Sequence, residues 1–280
     1  MSAPRALVTG GSRGIGLAVA GALAGRGWSV TILARDAAAC EQAAATLPGS
    51  AHSWFALDVA DEPAWDALAP ELGGLNGLVC AAGTLAPVGP VGTYAADAFR
   101  RTLEVNLLGT LLAIQTCLPA LRASGGSIVT FSGGGATAPL PRFDAYAASK
   151  AAVVRLTENL SSELEREGVR INSVAPGFVA TDIHRATLEA GPDLAGAAYH
   201  ERTARDLAAG GVPATEAAEL SCALLDPDAE ERFTGRLISA QWDPWREASF
   251  GRRLVAEPDL GTLRRIDGVM FAACEPQGQS

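Results

Sequence analysis

Short apolar runs of strand type alternate with longer helical patterns along most of this chain, and that alternation limits the possible folds more than any other feature. Residues 6–9, 29–33, 53–57, 78–81, 127–131 and 169–174 read as strands, with 236–239 as a seventh. Between them lie helical stretches: an Ala/Leu-rich one ending near Arg26, 36–46 with Asp36 as its N-cap, and one opening at Asp61-Glu62-Pro63. Others cover 105–123, with Pro119 shortening or kinking its end, then 144–167 and 215–225. Strands separated by helices make βαβ units, whose right-handed crossovers cover a parallel sheet on both faces. The expected class is α/β, a doubly wound parallel sheet of about seven strands in a single domain. Ligands of such sheets bind beyond the carboxyl ends of the strands. No repeat or linker divides the chain. We therefore expect one domain over 1–240, a substrate lid at about 182–211, and an extension over 241–280. The extension packs on the domain or at a subunit interface.

Composition narrows the partners. The sequence is 48% hydrophobic but only 6% aromatic, which suits close-packed Ala/Gly-rich helices on a sheet. A net charge of −9 argues against a nucleic-acid backbone as partner, because that needs a basic face. No uninterrupted apolar run reaches the ~20 residues that span a bilayer, so no membrane partner is expected. Met1 to Arg5 lead directly into a strand without a signal-peptide core. Cys40, Cys80, Cys117, Cys222 and Cys274 are odd in number and read as free thiols of a cytoplasmic protein. Neither these cysteines nor the scattered His52, His184 and His200 have metal-ligand spacing, so no metal is expected.

Two motifs carry chemistry. Thr9-Gly10-Gly11-Ser12-Arg13-Gly14-Ile15-Gly16 lies between the first strand and the first helix. Glycines there allow a tight turn and let backbone N–H groups approach a pyrophosphate at the helix N-terminus. Tyr146 and Lys150 stand one helical turn apart on the same face. An ammonium that close favours the phenolate and would draw the tyrosine towards the working range of a general acid/base.

With these in order, the chain resembles the short-chain dehydrogenase/reductase family. Matching stretches are Thr9 to Gly16, Asp58-Val59, Cys80 to Gly83, Asn106 in Glu-Val-Asn-Leu-Leu-Gly, Tyr146 to Lys150, and Pro176 to Asp182. The resemblance covers about residues 5–182 and implies a Rossmann-like fold and an NAD(P)-dependent oxidoreductase. It implies that Gly10, Ser12, Gly14, Ile15 and Gly16 cradle the pyrophosphate and adenosine ribose. Asp58 and Val59 would meet the adenine, Ala82 and Gly83 the ribose, and Pro176, Gly177, Val179 and Thr181 the nicotinamide. Family members usually carry Asn-Asn-Ala-Gly where this chain has Cys80-Ala81-Ala82-Gly83, so those amide hydrogen bonds are missing or replaced.

Charge bears on the choice of cofactor. Ala34 stands where an acidic residue would bind both ribose hydroxyls, and Arg35 and Arg13 could clamp a 2′-phosphate. NADP(H) is expected over NAD(H). The catalytic set implied is Tyr146 as proton donor or acceptor, Lys150 beside it, Asn106 carrying a relay water, and a serine after the fifth strand. Gly133 occupies the usual serine position, and Ser132, one residue earlier, either serves in its place or leaves the position unfilled. The reaction expected interconverts a ketone or aldehyde with an alcohol. A redox-neutral epimerase or dehydratase, or an inactive cofactor-binding regulatory protein, is the alternative. Enoyl reductases of the family space Tyr and Lys more widely, which argues against that chemistry. The family also commonly pairs subunits through the helices at 105–123 and 146–167, so a homodimer or homotetramer is expected. Tyr199, His200, Arg202 and Arg205 of the lid are read as facing water, or else meeting a polar or anionic substrate. Trp242 and Trp245 are read as packing residues, or else as lining the cleft.

Overall fold

The computed structural model describes residues 3–49 and 51–264, so Met1, Ser2, Cys274 and the end of the extension lie outside it. Seven strands form one sheet in the order β3-β2-β1-β4-β5-β6-β7, all parallel. They are β1 (Arg5–Thr9), β2 (Ser29–Ala34), β3 (Ser53–Ala56), β4 (Gly77–Cys80), β5 (Ser127–Phe131), β6 (Arg170–Ala175) and β7 (Leu237–Ser239). Central strands β4 and β5 are buried along their whole length. That is why they read as continuous apolar runs rather than alternating ones.

Helices cover both faces. They are α1 (Gly14–Gly25), α2 (Ala37–Thr46), α3 (Glu62–Leu68), α4 (Ala96–Leu103), α5 (Gly109–Ser124) and α6 (Asp144–Leu164). Then come α7 (Arg185–Ala195), α8 (Ala197–Ala208), α9 (Ala214–Leu225) and α10 (Ala248–Ala256). Neighbouring strand residues divide between two cores. Val8, Ile32, Val79 and Val129 pack with α1, α2 and α9. Leu7, Leu33, Leu78 and Ile128 pack with α3 and α5. The strand period of two thus sets which helices each side chain meets.

Three departures from the sequence reading have physical causes. The helix expected to begin at Val105 begins at Ala96, because Asp97, Arg100 and Arg101 hide its apolar period. Pro119 lies inside α5, which runs on to Ser124. It closes on Gly125 in the left-handed region (φ 63°), with Gly126 N–H donating to Leu121 O at 2.9 Å. The stretch Ala96–Ser124 is also long and apolar enough to cross a membrane by length and composition. It lies against the sheet, where Leu112, Ile114, Cys117 and Leu121 enter the core.

The described part of the extension is woven into the domain. Phe250 and Leu254 of α10 are buried in the core shared with α1 and α9. The outward donors of edge strand β7 are also occupied: Leu237 N–H donates to Gly261 O (2.6 Å) and Ser239 N–H to the Asp243 carboxylate (2.8 Å). An edge strand left bare would invite pairing with another chain.

Candidate active site

Every element that reaches the site does so at the carboxyl end of a strand. After β1, Gly10 adopts φ 65°, and a Cβ there would lie 2.7 Å from Ala82 N. A Cβ on Gly16 would lie 2.3 Å from Gly10 O. Both positions therefore need glycine to bring the β1 turn, the β4 turn and the start of α1 together. No side chain caps α1, and no acidic residue lies in its first turn. Its free N–H groups and positive dipole end suit a pyrophosphate. That cradle fits a dinucleotide.

Asp36 caps α2 as expected, accepting from Ala39 N–H at 3.1 Å. Arg35 is exposed and has no ion-pair partner among the described residues. Arg13 instead reaches across the glycine turn to Asp182 at 3.5 Å. Asp58 is more engaged than its sequence context suggests. One carboxylate oxygen accepts from Ala60 N–H (3.1 Å), and the other is held by Arg101 of α4. The sequence does not single out Arg101, because it lies in the charged helical turns of α4, where the apolar period is hidden.

Asn106 occupies a π-helical turn, Glu104–Leu108, between α4 and α5, a distortion common at functional sites. It is 1% exposed, and both of its amide hydrogens are taken by neighbours. Oδ1 accepts from Thr84 N–H (2.8 Å), while Nδ2 donates to Thr84 O (2.9 Å) and Ser149 Oγ (2.9 Å). The Asn106 side chain thus pins the chain after β4 to α6. Gly83 lies at this junction, where a Cβ would come within 3.4 Å of Asn106 Oδ1 and 3.8 Å of Lys150 Nζ.

Lys150 is buried, and its Nζ donates to Phe131 O at 3.0 Å. Nζ lies 5.8 Å from the centroid of the Tyr146 ring. Here the structure corrects the sequence expectation about proton affinity. Burial pushes the Tyr146 phenol above its ordinary range, with Tyr199 adding to the rise, and burial lowers Lys150 to about 8. The ammonium is aimed at a backbone carbonyl, so loss of hydration outweighs its pull on the phenol. A phenol is protonated at neutral pH even at its ordinary value, and burial moves Tyr146 further in that direction.

The Lys150 value gives a stability prediction. Its folded pKa of about 8 lies below the unfolded lysine value of ~10.4. The buried ammonium therefore costs stability below pH 8, and that cost disappears as pH rises towards the unfolded value. Thermal unfolding at pH 7 and pH 9.5 should show the stability gap between Lys150→Met and wild type shifting in favour of wild type at the higher pH. A gap that stays constant contradicts this.

Gly133 stands against the tyrosine. A Cβ on it would lie 2.1 Å from the Tyr146 hydroxyl oxygen and 2.8 Å from Cζ, so the space a side chain would need is taken. Ser132 N–H donates to Val174 O (2.9 Å), and its hydroxyl has no hydrogen-bond partner among the described residues. Beyond β6, Gly177 adopts φ 76° beside Gln241. Val179 bridges to Gly211, and Thr181 faces Gly14, where a Cβ would lie 3.2 Å from the threonine methyl.

One cleft of about 1720 Å³ joins these pieces. All the cofactor and catalytic residues expected from the sequence line it except Asn106, which lies behind its wall. The volume exceeds the ~300–1,000 Å³ of an ordinary small-ligand pocket, so a dinucleotide and a second molecule fit together. Over it, α7 and α8 form the lid. Tyr199 turns inward onto Phe143 (ring centroids 4.6 Å apart), and Arg202 and Arg205 both pair with Asp206. His200 reaches Leu188 O at 3.4 Å. The two extension tryptophans separate: Trp245 is anchored through Nε1 to Ala240 O, whereas Trp242 lines the cleft.

A parallel sheet with an uncapped glycine turn at its switch point, and a tyrosine and a lysine in the same cleft, defines a dinucleotide-dependent oxidoreductase. The family model described as short chain dehydrogenase matches residues 4–191. Among curated proteins, D-threitol dehydrogenase of Mycolicibacterium smegmatis is 39% identical over 189 residues, 65% of this chain and 72% of that protein. Inactive 2-(S)-hydroxypropyl-CoM dehydrogenase 2 of Xanthobacter autotrophicus is 39% identical over 176 residues, 60% of this chain and 76% of that protein. The crystal structure of an actinorhodin polyketide ketoreductase with NADPH is 29% identical with a TM-score of 0.75, covering 85% of this chain and 95% of that one. The chain belongs to the short-chain dehydrogenase family and is an NAD(P)-dependent dehydrogenase/reductase.

Proposed function

We propose that this protein interconverts a ketone or aldehyde with an alcohol, using NADP(H). The observation that carries the reading is Tyr146, whose phenol lines the same cleft as the glycine turn and Lys150. The dinucleotide, when bound, supplies or accepts the hydride. Tyr146 donates its proton to the carbonyl oxygen in reduction and recovers it in oxidation. Lys150 brings the one positive charge of α6 that is buried beside Tyr146, for the ribose and for the proton balance of the phenol. Asn106 acts as a positioning residue that keeps Gly83 and Lys150 in contact. The Ser132 hydroxyl, without a hydrogen-bond partner among the described residues, lines the cleft and is a donor for the substrate oxygen.

For the cofactor, Gly10, Ser12, Gly14, Ile15 and Gly16 take the pyrophosphate and adenosine ribose. Asp58 and Val59 take the adenine, and Ala82 and Gly83 the ribose. Pro176, Gly177, Val179 and Thr181 take the nicotinamide. NADP is favoured because Arg35 is exposed and has no ion-pair partner among the described residues, while Arg13 can exchange Asp182 for a 2′-phosphate. Fluorescence transfer from tryptophan to bound NADPH or NADH tests this. A charge-assisted hydrogen bond is worth about 1.5–3 kcal/mol, so Arg35→Ala should weaken NADPH binding roughly 10- to 100-fold and leave NADH unchanged. Equal effects on the two cofactors would remove the NADP assignment.

A cofactor-binding protein without turnover is a second reading, favoured by glycine at position 133 and by the inactive relative. NADPH oxidation by wild type in the presence of any carbonyl compound ends it.

A further inference from the structure

Arg142 joins three segments that lie far apart along the chain. Its φ of 73° falls in the left-handed region, and among the described residues no other non-glycine residue does so. Side chains other than glycine rarely accept that region, and such strain persists only where neighbours hold it. The Arg142 carbonyl accepts from Gly89 N–H (2.8 Å), in the loop after β4. Its Nη1 donates to Asp193 O (2.5 Å) and Leu194 O (3.0 Å), in the last turn of α7. Carbonyls at the end of a helix have no partner within it, so a cation there answers open acceptors. The stem of Arg142 also lies along Gly196, where a Cβ would come within 3.4 Å of Cδ and Nε.

The place of this contact ties two walls of the site together. Arg142 is outside the cleft lining, but Leu140 before it and Tyr146 after it, in the first turn of α6, both line the cleft. Ile183, Ala186 and Tyr199 of the lid line it too, and they pack with Leu140 and Tyr146 around buried Leu85, Phe143 and Ala195. The corner that Arg142 grips is bounded by two glycines, Gly191 (φ 75°, ψ 174°) and Gly196 (φ 85°). Glycine leaves the chain free to turn at both points. Phe143 and Ala195 supply the apolar part of the docking. Among the described residues, Arg142 is the only side chain that hydrogen-bonds the backbone of 193–196.

Resting on the catalytic reading above, we infer that Arg142 is a positioning residue, a latch that fastens the α7–α8 corner to the start of α6. With the latch made, the lid wall already stands beside Tyr146 before a substrate arrives. With it broken, the corner swings on Gly191 and Gly196, and only the molecules that happen to be closed are ready to bind. Arg142 itself touches neither substrate nor dinucleotide.

Hydrogen exchange tests the latch without turnover, so failure of the catalytic reading is seen separately. In the full-length NADPH-loaded protein, Arg142→Ala should speed exchange of the α7 and α8 amides roughly 10- to 100-fold and leave β4 and β5 unchanged. Arg142→Lys should restore most of the protection, because an ammonium still donates to both carbonyls. Arg142→Gly should exchange as fast as the alanine variant yet keep a higher Tm, since only glycine relieves a φ of 73°. With cyclohexanone as probe ketone, the alanine variant should raise KM roughly three- to ten-fold, change kcat less than about two-fold and keep wild-type NADPH affinity. Unchanged lid exchange, faster exchange that spreads into the sheet, no recovery in Arg142→Lys, a faster lid at wild-type KM, or a parallel loss of NADPH affinity would each overturn the assignment. No oxidation of NADPH by wild type, with this exchange pattern intact, would overturn the catalytic reading and leave the latch standing.

Discussion

Gly133→Ser, which places a serine where the family usually has one, should lower kcat for carbonyl reduction about 10²–10³-fold rather than raise it. The new Cβ would lie 2.1 Å from the Tyr146 oxygen and 2.8 Å from Cζ, separations that no relaxed structure holds. The phenol is clamped from the far side, since Tyr146 packs in the cluster of Leu85, Phe143 and Tyr199. It can yield only by turning its hydroxyl away from the substrate, and a displacement of ~1 Å at a reacting group costs about two orders of magnitude. Gly133→Ala is the control, because it adds the same Cβ without a hydroxyl. Both variants should lose rate alike while NADPH affinity stays at the wild-type value. A rise in kcat for the serine variant would show that the tyrosine moves aside freely and that the missing hydroxyl was the limitation.

Tyr146→Phe carries the second large effect. It removes one oxygen and leaves the ring in the Phe143/Tyr199 cluster, so folding and cofactor binding should persist. General acid catalysis by a placed side chain contributes about 10²–10⁴, and kcat for reduction should fall by that factor. Because burial keeps the phenol protonated well above neutrality, wild-type reduction should show no loss of its acid between pH 6 and 8. A phenylalanine variant retaining more than a tenth of wild-type kcat would move the proton to another donor. Ser132, with its unpartnered hydroxyl, is then the residue to replace next.

Much of the architecture was legible because its signals are local. The β1 turn announces itself through glycines that no other residue could replace at φ 65° or at 2.3 Å from a carbonyl. The central strands announce themselves as unbroken apolar runs. Asp36 and Asp61 mark helix starts that the structure confirms through hydrogen bonds to Ala39 and Ala64. Where a helix's outer face is charged and its inner face short, as in α4, the period is hidden and the pattern becomes visible only nine residues after the true start. Arg101, and with it the pairing of Asp58, carries no sequence signal for the same reason.

The sequence by itself determined the family, the sheet and the identity of the residues that meet at its carboxyl edge. Those depend on residue type and spacing, and both are written along the chain. Only the tertiary structure decided what each group is free to do. The Asn106 amide ties Thr84 to Ser149, Arg13 leans on Asp182 in a solvent-exposed pair, and Asp58 is held by Arg101. Tyr146 and Lys150 move away from the proton affinities their spacing suggested, because burial acts on both and the ammonium points at Phe131 O. Trp242 and Trp245, alike on paper, part into one cleft residue and one core residue. Hydration, pairing and direction are set by neighbours distant in sequence, and these arise only once the sheet has brought its loops together.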